Sequence, residues 1–313
     1  QFNLIGAGRR NVFINGDFSV AQRGAGPTTG ISGYPTVDRW IIPLSGETTQ
    51  QLANDRVSTP SKMLKVTAAT NGYGIIRQMV EDVNTLSGGY ATLSFWAKTS
   101  TANNFRVEFQ QLFGSGGSST VSIIDDADYW KVPDDGWNFY SITVYLPSTL
   151  GKTVGTGSPG LSVLFGPTSG QPNGNIVYYS EVQLERGKVA TPFEHRSYGE
   201  ELALCQRYFE NLITKEGQSL LCSGFCYSNT QVQGIVRFSV EKRVTPSMGY
   251  DGGIAYQSTG ETARTNITPL FYVASTKTVM VYANSGVSVT AGQGVNLVNR
   301  DNGTGMIFAN AEL

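Results

Sequence analysis

The stretch that decides the fold is Tyr178–Leu212, YYSEVQLERGKVATPFEHRSYGEELALCQRYFENL. Taken with the two residues before it, its first part alternates as a strand does. Ile176, Tyr178, Val182 and Leu184 fall on one side, and Val177, Tyr179, Glu181, Gln183 and Glu185 on the other. A turn at Arg186-Gly187 and a Pro-containing connector follow. Ser197 with Glu200 three residues on reads as a capping box, in which hydroxyl and carboxylate satisfy N–H groups that a new helix leaves unpaired. Leu202, Cys205, Phe209 and Leu212 then recur at spacings of three and four, the stripe of an amphipathic helix. The residues on either side read as β-structure. The helix predicted over 197–212 is therefore a boundary between two all-β blocks.

Composition agrees with that class. Charged residues make up 15% of the 313, the formal net charge is -1, and there are 37 glycines. Gly and Asn suit tight turns, while Thr, Val, Tyr and Phe suit a pleated surface. A near-neutral chain lacks the basic field that nucleic-acid binding needs. No apolar run has the length of a membrane span, and no signal peptide is legible. The first residue is Gln1, which leads us to expect an upstream attachment segment. Cys205, Cys222 and Cys226 are odd in number and lack a bridging spacing, so they read as reduced, buried thiols.

Along the chain, residues 1–10 read as a linker and Asn11–Gly24 as a strand broken at Asn15-Gly16. Further strands are predicted at Met63–Thr67, Gly74–Val80, Ala91–Lys98, Phe105–Phe113, Asn138–Leu146, Leu161–Phe165 and Ile176–Glu185. Beyond the helix they are predicted at Gly217–Ser228, Val232–Val240, Ser247–Tyr256, Leu270–Ser275, Thr278–Tyr282 and Gly305–Glu312. Turn signals separate them, and no helical crossover intervenes, which favours antiparallel sandwiches. The expected organisation is an N-terminal sandwich over 11–196, a helical neck over 197–212 and a smaller C-terminal β-sandwich over 213–313.

Four motifs occur in order: RRNVFINGDFSVAQRG from Arg9, GYPTVDRW from Gly33, LSFWAKTS from Leu93 and VQLERGKVATPFEHRSYGEELALCQRYF from Val182. Together they resemble a group of bacteriophage tail-fibre and receptor-binding proteins, over roughly residues 9–212. VEKRVTPSM and the terminal NAEL resemble, more weakly, the small β-domain that ends such fibres. The resemblance implies a jelly-roll, carbohydrate-binding-module-like first domain. It also implies a homotrimeric virion protein made in the host cytoplasm and joined to other tail proteins through an upstream segment. Its partner would be host surface polysaccharide, bound without catalysis. By the same resemblance Asp17 and Glu181 match the positions of a structural calcium, although Glu181 replaces the usual Asp; read from the residues alone, they are strand-solvating charge.

Sugars are held by stacking their C–H faces on aromatic rings, so the aromatics are weighed first. Trp40, Trp96, Trp130, Trp137, Tyr34, Tyr73 and Tyr129 are the candidates. Trp40, in DRWII, reads as core. Trp96 lies on the less apolar side of its strand, and Tyr129 and Trp130 lie in a polar, turn-rich stretch. The binding set is therefore Trp96, Tyr129 and Trp130, with Tyr73 and Arg77 as further members. Asp125, Asp126, Asp128, Asp134 and Asp135 fit no calcium loop and read as turn formers. Gly155–Gly160 matches G-x-G-x-x-G but leads into a strand, so no helix N-terminus follows to hold phosphate. His195, the one histidine, has no nucleophile motif beside it. On the helix, Leu202, Cys205, Phe209 and Leu212 match an a/d seam over about two heptads, a candidate trimer interface.

Overall fold

A computed structural model describes residues 9–30, 32–43, 46–56, 59–70, 72–132, 136–167, 172–213, 220–251, 254–258, 264–272, 275–284, 289–299 and 306–313. The side chains of Asn103 and of residues 125–132 lie outside that description. The chain is all-β apart from one short helix. It divides into two compact units, Gln1–Glu201 with Leu313 and Leu202–Glu312.

In the first unit the strands are β1 (Thr28–Thr29), β2 (Thr48–Ala53), β3 (Lys62–Thr67), β4 (Ile76–Glu81) and β5 (Gly89–Thr99). They continue with β6 (Asn103–Leu112), β7 (Val121–Val132), β8 (Asn138–Leu146), β9 (Gly160–Pro167) and β10 (Ile176–Arg186). One sheet has the order β1-β2-β3-β10-β5-β8 and the other β4-β9-β6-β7, all antiparallel. Strands β3 to β10 thus divide four and four between the sheets, changing sheet at every step except the β6–β7 hairpin, in the two-Greek-key pattern of a jelly roll. The core between the sheets is apolar: Leu93, Phe95 and Ala97 of β5 meet Val107 and Phe109 of β6 and Val163 and Phe165 of β9.

β10 departs from simple alternation. Val177 and Tyr179 point inward, and so do Val182 and Leu184, because the pairing with β5 slips between Ser180 and Gln183. Glu181 occupies this bulge with φ of 50°. One extra residue changes which parity faces the core. The segment before β1 docks there: Val182 N–H donates to Gly16 O at 2.8 Å, and Val12 N–H to Leu184 O at 2.7 Å. Asn11 closes the frame, donating Nδ2–H to Val182 O at 3.1 Å and accepting from Leu184 N–H at 3.1 Å. The strand expected over Asn11–Gly24 is therefore a run of turns held from outside rather than a ladder strand. Asn15, fully buried, accepts from Val20 N–H and donates to Val20 O and Asp38 O, so its side chain replaces sheet pairing. Its own carbonyl accepts from Trp40 Nε1–H at 2.8 Å, and Trp40 is core, as expected.

The helix, α1 (Tyr198–Gln206), is shorter than predicted. Phe209 and Leu212 belong to the next strand, β11 (Phe209–Ile213), so the supposed a/d seam does not exist as a helical face. Pairing of β11 with the terminal strand outweighs the helical spacing, and Lys242 Nζ takes the Gln206 carbonyl at the helix end. Cys205 and Phe209 are buried in the chain itself, and Leu212 packs on the second core. The dividing line between the units falls inside α1, after Glu201, rather than around a separate neck.

The second unit continues with β12 (Leu220–Ser228), β13 (Gln231–Arg237), β14 (Ser247–Asp251), β15 (Ile254–Ser258) and β16 (Thr265–Ile267). It ends with β17 (Leu270–Tyr272), β18 (Thr278–Asn284), β19 (Gly294–Asn299) and β20 (Met306–Asn310). A sheet β16-β15-β19-β12-β13-β18-β17 shares an apolar core with a sheet β11-β20-β14. The predicted single strand Ser247–Tyr256 is two strands in different sheets, β14 and β15. No disulfide joins the thiols: Cys205 and Cys226 are buried, and burial pushes the half-buried Cys222 up to about 11. Lys242, fully buried, donates to Val240 O and to the Glu210 carboxylate, which also accepts from Ser239 N–H at 3.0 Å.

A Cβ at Gly16 would stand 2.1 Å from Val182 O. Gly16→Ala is expected to destabilise the protein by about 1–3 kcal/mol through overpacking at the bulge, measured by urea unfolding. An unchanged midpoint would show that the docked segment does not constrain β10.

Candidate functional site

Alternation on β5 and β8 sets one row of side chains on the outer face of the six-stranded sheet. Opposite the core residues Ile142, Val144 and Leu146, β8 presents Phe139, Ser141, Thr143 and Tyr145 to solvent, with Phe139 47% and Tyr145 52% exposed. Their cross-strand partners on β5 are Trp96, Ser94, Thr92 and Tyr90. From Phe139 to Tyr145 the row runs about 20 Å at the usual strand rise. Among the described residues β8 is the last strand of its sheet, so the row lies along its edge.

Each end of the row is aromatic. At one end Trp96 and Phe139 stand 5.4 Å apart, and Trp137 lies 6.4 Å from Tyr178. At the other, Tyr90 and Tyr145 meet edge to face at 5.3 Å. Between them Ser141 and Thr143 offer exposed hydroxyls, with Thr143 linked to Thr92 at 2.8 Å and donating to Lys188 O at 3.2 Å. Cations sit over several rings: Arg56 is 3.9 Å from the Trp96 centroid and Lys188 4.1 Å from that of Tyr90. Lys98 lies 4.6 Å from the Tyr178 centroid and 5.0 Å from that of Trp137.

These cations are held by carboxylates. Asp55 accepts from Trp137 Nε1–H at 2.6 Å and from Lys98. Burial alone would raise its carboxyl; the Lys98 and Trp137 bonds outweigh that and leave it below the ordinary value. Glu181, in the β10 bulge, accepts from Arg56 Nη1–H at 2.8 Å, from Thr59 Oγ1–H and from Ser61 Oγ–H at 3.3 Å. Burial again pushes the Glu181 carboxyl up, but the Thr59 and Arg56 hydrogen bonds and the charges of Arg56 and His195 bring it below 4.5.

This donor set does not fit calcium. Both Glu181 oxygens are engaged, and a guanidinium already supplies the compensating positive charge. Asp17 turns its Oδ1 to Ser19 N–H at 3.1 Å. Among the described residues no group of three His, Cys, Asp or Glu side chains could hold a metal ion.

The remaining expected residues do not converge on this face. Arg77 lies on β4, opposite the inward-facing Ile76 and Gln78, and so on the outer side of the other sheet. Tyr73 precedes β4, and its N–H donates to Glu47 Oε1 at 2.8 Å. Burial raises the Glu47 carboxyl against this bond and a second one from Gly74 N–H. Tyr129 and Trp130 have a strand backbone in β7 rather than a turn-rich loop, and their side chains lie outside the described residues. Asp125, Asp126 and Asp128, expected as turn formers, likewise lie on the strand backbone of β7 with side chains outside the described residues, and Asp134 and Asp135 lie outside them altogether. His195 is exposed, edge-on to Phe193 at 4.9 Å. The residues that sequence reasoning missed are Phe139, Tyr145, Tyr90 and Tyr178, together with the cations above them. The signal was present in NFYSITVYL, where aromatics stand on both parities, so those of one parity had to face outward.

No protein-family model and no curated protein sequence matches the chain. Among solved structures, the N-terminal CBM22-1-CBM22-2 tandem domain of Xyn10C from Paenibacillus barcinonensis is matched over 98% of this chain and 100% of that one, at 11% identity and a TM-score of 0.37. A putative sugar binding protein from Bacteroides thetaiotaomicron is matched over 57% of this chain and 100% of that one, at 16% identity and 0.36. The enzymatically active domain of tailspike protein 4 from bacteriophage CBA120 is matched over 56% of this chain and 21% of that one, at 18% identity and 0.31.

The Glu181 ion pair sets a pH dependence. A carboxyl held below its unfolded value of 4.5 contributes stability that is complete above that pH and lost as pH falls through the folded value. Glu181→Gln is expected to lower the unfolding midpoint at pH 7, with the difference from the parent shrinking below pH 4.5. A deficit that is the same in acid and at neutrality would rule the ion pair out as its source.

Proposed function

We propose that the chain is a bacteriophage tail-fibre or receptor-binding protein that grips host surface glycans without cleaving them. The observation that carries the binding is the solvent-facing row Phe139–Ser141–Thr143–Tyr145, backed by Trp96 and Tyr90. Rings at both ends offer surface for sugar C–H faces, and hydroxyls between them offer hydrogen bonds. A row of about 20 Å suits several consecutive units of a polysaccharide better than one isolated sugar. The virion setting rests on the four ordered motifs, from RRNVFINGDFSVAQRG to VQLERGKVATPFEHRSYGEELALCQRYF. A homotrimer, with other tail proteins bound through an upstream segment, belongs to the same reading. Avidity would then multiply contacts that are weak singly. Synthesis in the host cytoplasm accords with three cysteines that form no disulfide.

One observation favours a second reading, a structural virion appendage with no sugar site. Arg56 covers a face of Trp96, the tryptophan best placed by the sequence, and Glu181 holds it there. Stacking at that end falls to Phe139, which is why the exposed rings decide between the readings.

A glycan array probed with the full chain is expected to return host-type polysaccharides. Phe139→Ala and Tyr145→Ala should each weaken the best hit about tenfold, or ~1.4 kcal/mol. Because both side chains are exposed, thermal unfolding should barely move. No hit from a folded chain would leave the appendage reading standing. Light scattering tests the assembly separately: three chains of 33.7 kDa are expected, and a monomer would remove avidity from the account.

A further inference from the structure

The second unit has an open flank that the glycan row of the first does not use. Among the described residues, β14 pairs with β20 alone and β17 with β18 alone, so each ends its sheet. By register Met248 and Tyr250 share a side with buried Ala309 and Ile307, and Phe271 stands opposite buried Val281. The core side chains of the two sheets thus reach solvent between these strands. Met248, Gly249, Tyr250, Pro269, Leu270 and Phe271 line a shallow depression there, open to solvent over most of its extent.

Its chemistry is specific. None of the six lining residues is charged, so an ionic ligand would enter without a counter-charge from them. The Tyr250 and Phe271 rings stand 6.5 Å apart at 50°, forming an aromatic corner. Edge strands leave alternate backbone N–H and C=O groups unpaired, which supplies polar atoms beside the rings. An added peptide strand fits poorly, because β17 offers three residues and Pro269, just before it, has no N–H. A pyranose fits both features, with one C–H face for the rings and hydroxyls for the backbone.

We propose that this flank is a second carbohydrate site, taking a single neutral hexose or N-acetylhexosamine unit. It goes beyond the glycan row of the first unit and can fail independently of it. The test is residue-resolved NMR of the full, isotope-labelled chain with glucose, galactose and N-acetylglucosamine, each at millimolar concentration. At least one sugar is expected to shift the amides of residues 248–250, 270 and 271 in a saturable way. Tyr250→Ala should weaken that response about tenfold, whereas Phe139→Ala and Tyr145→Ala should leave it intact. Leu270→Glu, at a position 41% exposed, gives a second block that does not cut into the core. Silence at those amides with all three sugars would overturn the site. So would the same shifts from a triglycine peptide with none from the sugars, since the free edges would then be peptide docks.

Discussion

The hydrogen bond from Val182 N–H to the Gly16 carbonyl is the contact on which the first unit depends. It closes the β10 bulge, and the bulge decides which side chains of the central strand enter the core. Without the extra residue at Glu181, either Val177 and Tyr179 or Val182 and Leu184 would face outward. With it, all four are buried. The same slip turns Glu181 toward Arg56 and so reaches the aromatic row. Backbone geometry at one residue thereby links core packing to the face that meets solvent.

Charge is used locally throughout. Arg196 donates to the Phe13 and Asn11 carbonyls and to Glu201, while Glu194 accepts from Asn11 N–H at 2.8 Å. In the second unit Lys242 and Glu210 pair inside the core. Buried ion pairs of this kind give modest net stability, because desolvation opposes attraction, but a broken one leaves an uncompensated charge. Their service here is placement. Arg196 and Glu194 fix the incoming segment, Arg56 fixes an indole, and Lys242 engages both the end of α1 and β11.

Much of the fold was legible because period-two patterns are hard to mistake where one face is buried. LSFWAKT of β5 and IVYYS of β10 show this. Other elements were hidden for identifiable reasons. Thr48–Ala53 is polar on both sides and became a strand through pairing with β3. Phe209–Ile213 continued a helical spacing by coincidence, and its partner strand lies almost a hundred residues later. The bulge could not be read at all, since a register slip leaves no compositional mark. The outward position was legible for Trp96 and not for Phe139 or Tyr145. Sequence places rings on a strand, but only the sheet order makes β8 an edge.

All three cysteines belong to the second unit, and the first has none. Burial holds the Cys222 thiol near 11, and Cys205 and Cys226 are shut away from solvent. Alkylation of Cys205 and Cys226 therefore waits on an opening of that half of the chain. These two thiols give the protein a chemical clock for the opening of the unit that contains them.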